Sequence, residues 1–398
     1  MISRNMTKKL YFVSIIAAAF TLRLFFFNAA SGDFNAFLKP WMDEFRAGGG
    51  FAALGETTSN YNLLYLYFLA LFSYIPEKSL GPLTDLYLIK LLSVAFDVVL
   101  AFTMYKIAAM RSEKIGMIMF AVTLFVPTFI ANSAQWAQCD SIYASCCLLS
   151  FYCVMKDKPK FGVLFAGLAF AFKLQAVFYL PMFLIFLAAR KVKLPHALLF
   201  PLPYIVTALP ALFAGWTPAR IVGIYTGQVE IYKNYLTLNA PSVFAFLQSG
   251  SGTFSDPTAA MSTSSLSKLG IAAAALGFIA LAVWAFLHRD ELDDRAVAVC
   301  ALLTTLGIPW LLPSMHDRYF YLAEMFALLY VIYYPKRWYV AVMTTFASAG
   351  GYWAYLVQNR LSDELEMFAL VFLEVLILVA VWMVRDYKHS DIREEQVL

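Results

Sequence analysis

Long apolar runs, broken at short intervals by clusters of Lys and Arg, set the pattern of this chain. Runs of roughly 17–25 apolar residues match the length of helix that crosses a bilayer. They fall at about 10–30, 85–109, 115–132, 141–156, 160–176, 177–190, 196–214, 268–288, 295–313, 320–335, 337–356 and 364–385. The pattern predicts an all-α, polytopic membrane helix bundle of about twelve spans, read as one integral-membrane domain over residues 1–398. The first run follows Lys8 and Lys9 and has no small-residue cleavage site, which predicts an uncleaved span.

Basic residues collect on alternate connections. One side carries Arg4, Lys8, Lys9, Lys106, Arg111, Lys114, Lys156, Lys158, Lys160, Arg190, Lys191, Lys193, Arg289, Arg295, Lys336, Arg337, Arg385, Lys388 and Arg393, nineteen of the 30 basic residues. Short basic loops stay in the cytoplasm, so this side and both termini are predicted to face inward. The opposite side holds two long segments, 31–84 and 215–267. The first contains a helical pattern at 34–47 and an apolar stretch from Asn62 to Tyr74. A crossing there would move every later basic loop to the other side, so a helix lying in the interface is predicted instead. Gly, Ser, Thr and Pro across Ser249–Ser267 predict a flexible loop.

Composition agrees with this class. Of 398 residues, 61% are hydrophobic and 14% charged, with mean hydropathy +0.68. A soluble domain carries about 25% charged residues. The net charge of +4 comes with no polybasic run, so a nucleic-acid partner is not expected. Cys139, Cys146, Cys147, Cys153 and Cys300 show no disulfide or metal-ligand spacing and read as small apolar residues.

Polar residues near the hydrocarbon boundary are costly unless they pair or line a cavity. On the exoplasmic rim the chain places Asp33, Asn60, Asp140, Lys173, Gln175, His316, Asp317 and Arg318. Each has a simpler reading. Asp33 and Asp140 suit helix N-caps, Lys173 could snorkel, and His316-Asp317-Arg318 could form a solvated turn after Pro313. Together they suit another task. Glycosyl transfer to a hydroxyl needs a base for the acceptor proton, which a carboxylate supplies. It also needs charge on the departing phosphate, for which Arg is well shaped. No cytoplasmic loop is long enough for a nucleotide-sugar domain, so the donor would itself be membrane-embedded.

These segments resemble the membrane glycosyltransferases of the C superfamily (GT-C), which use polyprenyl-phosphate sugars. The likeness rests on SGDFNAFLKPWMDEF with its acidic Asp33, on NYNLLYLYFLAL, on WAQCDSIYAS followed by AFKLQAVFYLP, and on PSMHDRYFYLAEMFALLY, over about residues 10–335. Leu63-Leu64 stands where the pattern has Pro-Pro, and His316-Asp317-Arg318 where bacterial relatives have His-Glu-Arg. The resemblance implies an inverting hexosyltransferase of mannose or glucose type, with a polyprenyl-phosphate sugar as donor. The acceptor would be a glycan, a lipid-linked sugar or a protein. It implies Asp33 as base and Asp140 in support. Arg318, Lys173 and His316 would lie near the donor phosphate, and Gln138, Gln175, Asn60 and Tyr61 would contact substrate. No residue is assigned to a metal; no cofactor is established, and a divalent metal stays open. The expected setting is a bacterial plasma membrane with an exoplasmic active site. Two rival classes remain. One is a secondary transporter, for which Lys90 and Asp97 would form an intramembrane pair; the other is a lipid-linked glycan flippase or polymerase.

Overall fold

The structure is a computed structural model that describes residues 4–233, 235–247, 263–357 and 364–395, and it is almost wholly helical. In chain order the helices are α1 (Arg4–Leu24), α2 (Lys39–Ala47), α3 (Leu63–Phe72), α4 (Thr84–Ala109), α5 (Glu113–Leu124), α6 (Pro127–Ile130), α7 (Asp140–Met155) and α8 (Pro159–Phe172). They continue as α9 (Met182–Ala188), α10 (Pro201–Phe213), α11 (Pro218–Tyr232), α12 (Thr263–Leu287), α13 (Asp294–Leu311), α14 (Tyr321–Tyr333), α15 (Tyr339–Leu356) and α16 (Leu365–Glu395).

Among the described residues five helical stretches are long and apolar enough to cross a membrane: Thr84–Ala109, Leu194–Phe213, Ser265–Leu287, Asp294–Leu311 and Leu365–Asp386. A sixth arises if Glu113–Leu124 and Pro127–Trp136, bent by 49°, form one broken span. The all-α membrane character is therefore present, and five or six of the expected spans meet the test of length and composition. α3 has 10 residues and rises only about 15 Å, half of a hydrocarbon core, so it does not cross alone. The helical pattern at 34–47 is a π-helical turn, Phe34–Leu38, running into α2. α11 lies in a segment for which no helix was expected. Of the loop expected over Ser249–Ser267, residues 249–262 lie outside the described residues, and 263–267 already belong to α12.

Packing groups the chain into two compact units, Met1–Ala176 with Pro195–Ile231, and Val177–Leu194 with Tyr232–Leu398. In the first unit α4 packs against α5 and α7, and α7 against α8. The α1–α4–α5 contact is apolar, built on Ala19, Ala101, Phe120 and Leu124.

Buried charge is the other organiser of this unit. Arg23, 1% exposed, pairs with Asp97 at 2.9 Å and donates to the carbonyls of Ala19 and Leu124. Ser133 donates to the same Asp97 oxygen at 2.6 Å. Lys90, fully buried, donates to the carbonyls of Phe26, Phe27 and Ala29 at 2.8, 3.0 and 2.6 Å. Lys90 and Asp97 thus have separate partners, which corrects the expected intramembrane pair. Seven residues along a helix is about 10.5 Å of rise, too far for a direct bond.

In the second unit α13, α14, α15 and α16 pack in sequence-adjacent pairs. Arg337 is held between the rings of Tyr334 and Trp382 and bonds the Tyr330 hydroxyl and Asp386. That fixes the end of α14 to α16. A short parallel pairing joins Thr237–Leu238 to Met315–His316. Gly351 lets α15 approach it: a Cβ there would meet the Asp317 carbonyl oxygen at 2.6 Å.

Breaking one half of the Arg23–Asp97 pair leaves an uncompensated buried charge. We predict that Asp97→Leu lowers stability by about 3–5 kcal/mol. The double change Arg23→Met/Asp97→Leu should recover most of that loss. Thermal melts in detergent decide; a double variant no better than the worse single one would show that the pair is not what ties these helices.

Candidate functional site

Asp33 follows a short non-helical link after α1. Ser31 organises the link: its hydroxyl donates to the Trp136 carbonyl at 2.7 Å and accepts the Phe34 N–H at 3.1 Å. Ser31 therefore serves the start of the Phe34–Leu38 turn, and Asp33 makes no side-chain cap bond. The N-cap reading of Asp33 is thus replaced by a different arrangement. One carboxylate oxygen, Oδ2, accepts from Trp136 Nε1 at 3.0 Å and from Gln138 Nε2 at 2.6 Å. The residue is half-buried.

The segment that supplies both donors is itself irregular. Ala131–Gln135 forms a second π-helical turn. Single π turns inside helices recur at functional sites, where they re-aim side chains. Ala137, between the two donors, sits at φ 64. That left-handed conformation costs an L-residue with a Cβ about 1–2 kcal/mol. It turns the chain so that Trp136 and Gln138 reach the same oxygen. The Gln138 N–H is anchored on the Asn132 carbonyl at 2.9 Å, which closes the turn.

Asp140 begins α7, with Cys139 at the N-cap position, and is 1% exposed. Lys173 donates to its Oδ1 at 2.5 Å and Asn132 to its Oδ2 at 2.7 Å. Lys173 is itself 5% exposed, so it does not snorkel. Its ammonium lies 5.9 Å from the Tyr61 ring centre and 5.8 Å from that of Tyr143. A buried pair of this kind is stable only while both members remain. The two acids are thereby linked: Asp140 holds the Asn132 side chain, the Asn132 carbonyl holds Gln138, and Gln138 holds Asp33. Gln138 and Asp140 are two residues apart, at most about 7 Å between Cα atoms.

The 57–62 loop flanks this network. Tyr61 is within 3.5 Å of Cys139 Sγ through its hydroxyl and stacks obliquely on Trp41 and Tyr65. The Asn60 side chain is exposed, while its carbonyl accepts from Gln228 of α11 at 2.8 Å. Glu44 of α2 pins the loop by accepting from the Thr57 hydroxyl and from the N–H and hydroxyl of Thr58. Gln175 is buried, and its amide oxygen has no hydrogen-bond partner among the described residues.

Asp33, Gln138, Asp140, Lys173 and Tyr61 thus belong to one connected cluster in the first unit. His316 and Arg318 lie in the second. There His316 packs edge-on against Tyr232 at 4.4 Å, and Asp317 accepts from the Arg318 N–H at 3.0 Å. Ser314 and Asn239, on either side of the strand pairing, are left-handed at φ 62 and φ 56. His316 is 9% and Asp317 3% exposed, so this is not a solvated turn.

Trp136, Asn132 and Ser31 were not singled out from sequence. Trp136 stands in the same WAQCD segment as Gln138, and an indole N–H near a boundary carboxylate was the available signal. Three carboxylates, Asp43, Glu77 and Asp85, lie within 4.8 Å of one another, an arrangement suited to a cation. The cations already there are Lys39, which contacts all three, and Arg46, on Asp85.

Two predictions follow from this geometry. Ala137→Gly relieves the left-handed strain and should preserve or raise stability by up to about 1 kcal/mol, whereas Ala137→Val should lower it. Thermal melts read both; equal effects would deny the strain. Burial alone would raise the Glu44 carboxyl, but the bonds from Thr58 and Thr57 outweigh it and hold the group below its usual value. A depressed folded value means the contribution is present above the unfolded value and is lost as pH falls through the folded one. Hydrogen-exchange protection over residues 57–61, taken relative to the intrinsic rate at each pH, should therefore fall on acidification below the ordinary carboxylate range. Glu44→Gln should lower that protection at neutral pH and flatten the dependence.

No protein-family model matches the chain, and a search of curated proteins finds no match to it.

Proposed function

We propose that this protein is an inverting membrane glycosyltransferase that moves a hexose from a polyprenyl-phosphate donor to an acceptor hydroxyl, with Asp33 as the base. One observation carries the reading. Asp33 is a half-buried carboxylate whose orientation is fixed by two N–H donors on a strained turn, one of which, Gln138, rests through Asn132 on a second, fully buried acid. Strain held by surrounding structure at a polar cluster points to function rather than to packing.

The chemistry is a single displacement. The acceptor O–H gives its proton to Asp33 as its oxygen forms a bond to the anomeric carbon. The bond from that carbon to the phosphate oxygen breaks, and the polyprenyl phosphate leaves with the electron pair. Asp140 is an unsuitable base in this scheme, being 1% exposed and paired with Lys173. Its role is to hold Asn132 and through it Gln138. Lys173, bound to Asp140, contributes charge from within rather than a free docking point. Arg318 and His316 enter as donor-phosphate contacts on the strength of their motif. The remaining finer features, about twelve spans of GT-C type with the active site outside and both termini in the cytoplasm, belong to the same proposal. The transporter reading loses the Lys90–Asp97 pair, one of its two grounds, because each residue has other partners; the other ground, about twelve spans with both termini inside, it shares with the transferase reading.

Asp33→Asn keeps the size of the side chain and removes its basicity. It should cut transfer by about 10²–10⁴-fold while leaving the melting temperature near that of the unaltered protein. The assay is release of lipid phosphate from a panel of polyprenyl-phosphate sugars by purified protein. Activity within about threefold, under 1 kcal/mol, would remove Asp33 from the base role. Arg318→Lys should lower kcat as well as raise KM, since Lys cannot reproduce the two-donor fork on a phosphate whose charge grows in the transition state. A pure KM effect would leave Arg318 as a docking group only. Cysteines placed at Lys158 and Lys191 should label from the cytoplasm, and one at Asn35 from outside; outside labelling at position 158 would invert the topology and overturn the proposal.

A further inference from the structure

We propose that Lys90 is a positioning residue for Asp33, and that with Asp97 it makes α4 the rule against which the base and its two donors are aligned. The inference rests on the transferase reading for its consequence in turnover, and on geometry alone for its consequence in structure.

Lys90 is fully buried and presents three ammonium donors to three backbone carbonyls, those of Phe26, Phe27 and Ala29. An ammonium has three N–H bonds to give, so this set is complete. The carbonyls lie in the turn just beyond the C-terminus of α1, where the helix no longer supplies a full set of backbone donors and where a cation is electrostatically favoured. Ala29 is two residues before Ser31 and four before Asp33. Lys90 therefore fixes the last point of the chain before the link that carries the carboxylate.

Asp97 lies two turns further along the same face of α4. Its Oδ2 accepts from Ser133, in the middle of the Ala131–Gln135 turn that leads to Trp136 and Gln138. One rigid helix thus grips the strand of chain ahead of the carboxylate through Lys90 and the strand ahead of the donors through Asp97. Neither residue touches Asp33. A structural staple would need only one such contact to hold α1 against α4, and Arg23 already supplies it through Asp97, while its bond to the Leu124 carbonyl ties α1 to α5. Lys90 adds a contact at the one place where the chain is not helical and leads directly to the proposed base.

The test uses the full chain, purified in detergent, with two substitutions graded by the number of donors they keep. Lys90→Gln retains two N–H donors and Lys90→Met none. Two readouts are taken. The first is the reactivity of Asp33 toward a water-soluble carbodiimide with an amine nucleophile, followed by peptide mass spectrometry, with exposed Asp290 as the internal control. The second is the kcat and KM of sugar transfer from the lipid donor. If Lys90 positions Asp33, labelling at Asp33 rises about threefold or more in Lys90→Met and less in Lys90→Gln, with Asp290 unchanged. In turnover, kcat falls by about 10–100-fold with KM within about twofold, as expected when a reacting group is misplaced by an ångström or so. Unchanged labelling at Asp33 in a folded Lys90→Met variant overturns the proposal, as does a rise shared equally by all carboxylates, which is general loosening. If Lys90→Met does not fold, Lys90→Gln decides by the same two criteria. A labelling shift at Asp33 in a protein that transfers no sugar from any lipid donor would uphold the positioning role and sink the transferase reading.

Discussion

A charge inside an apolar helix bundle must find partners, and in this protein that requirement shapes the first unit more than any single packing contact. Arg23, Lys90 and Asp97 are each 3% exposed or less. Each is paired with groups from other segments: the Asp97 carboxylate and the Leu124 carbonyl for Arg23, which also bonds the Ala19 carbonyl of its own helix, three carbonyls for Lys90, a guanidinium and a hydroxyl for Asp97. Removing a partner leaves a polar group in a medium that cannot solvate it, so these bonds are costly to break. The helices they join carry the two irregular turns from which the candidate site is built.

The same logic operates at the rim. The Asp140–Lys173 pair is buried and surrounded by Tyr61, Tyr143 and Asn132. Its effect reaches Asp33 through Asn132 and Gln138. Of the two acids one is locked in a pair and the other is half-buried and oriented. That difference in environment, more than the shared residue type, separates a supporting carboxylate from one able to take a proton.

Much of the architecture was legible in the sequence. Hydropathy marked the long helices, and the parity of the basic loops argued against a crossing at 62–75, where α3 is too short to span. Asp33, Asp140 and Lys173 stand out in the sequence as polar groups at a costly depth, Gln138 and Tyr61 only through the family resemblance, and the fold gathers these five into one cluster. What escaped was everything that depends on irregular backbone. A π turn and a left-handed alanine have no signature in composition, because they arise when neighbouring bonds outweigh local preference. Trp136 as a donor and Asn132 as a link follow from those turns and were missed with them. The Lys90–Asp97 pair was misread for a simpler reason: a seven-residue spacing puts two groups on one helix face but leaves them about 10 Å apart along it. α11 was overlooked because its two glycines and mixed polarity blur the helical period.

The proposed reaction is a single displacement assisted by one carboxylate, with the second acid withheld from it by burial and pairing. Stereochemistry at the anomeric carbon reads this most directly. Purified protein given a polyprenyl-phosphate sugar of known anomeric configuration should yield a product whose glycosidic linkage, determined by nuclear magnetic resonance, is inverted. A retained configuration would require a covalent or ion-paired intermediate on a second carboxylate, and would contradict the division of roles between Asp33 and Asp140.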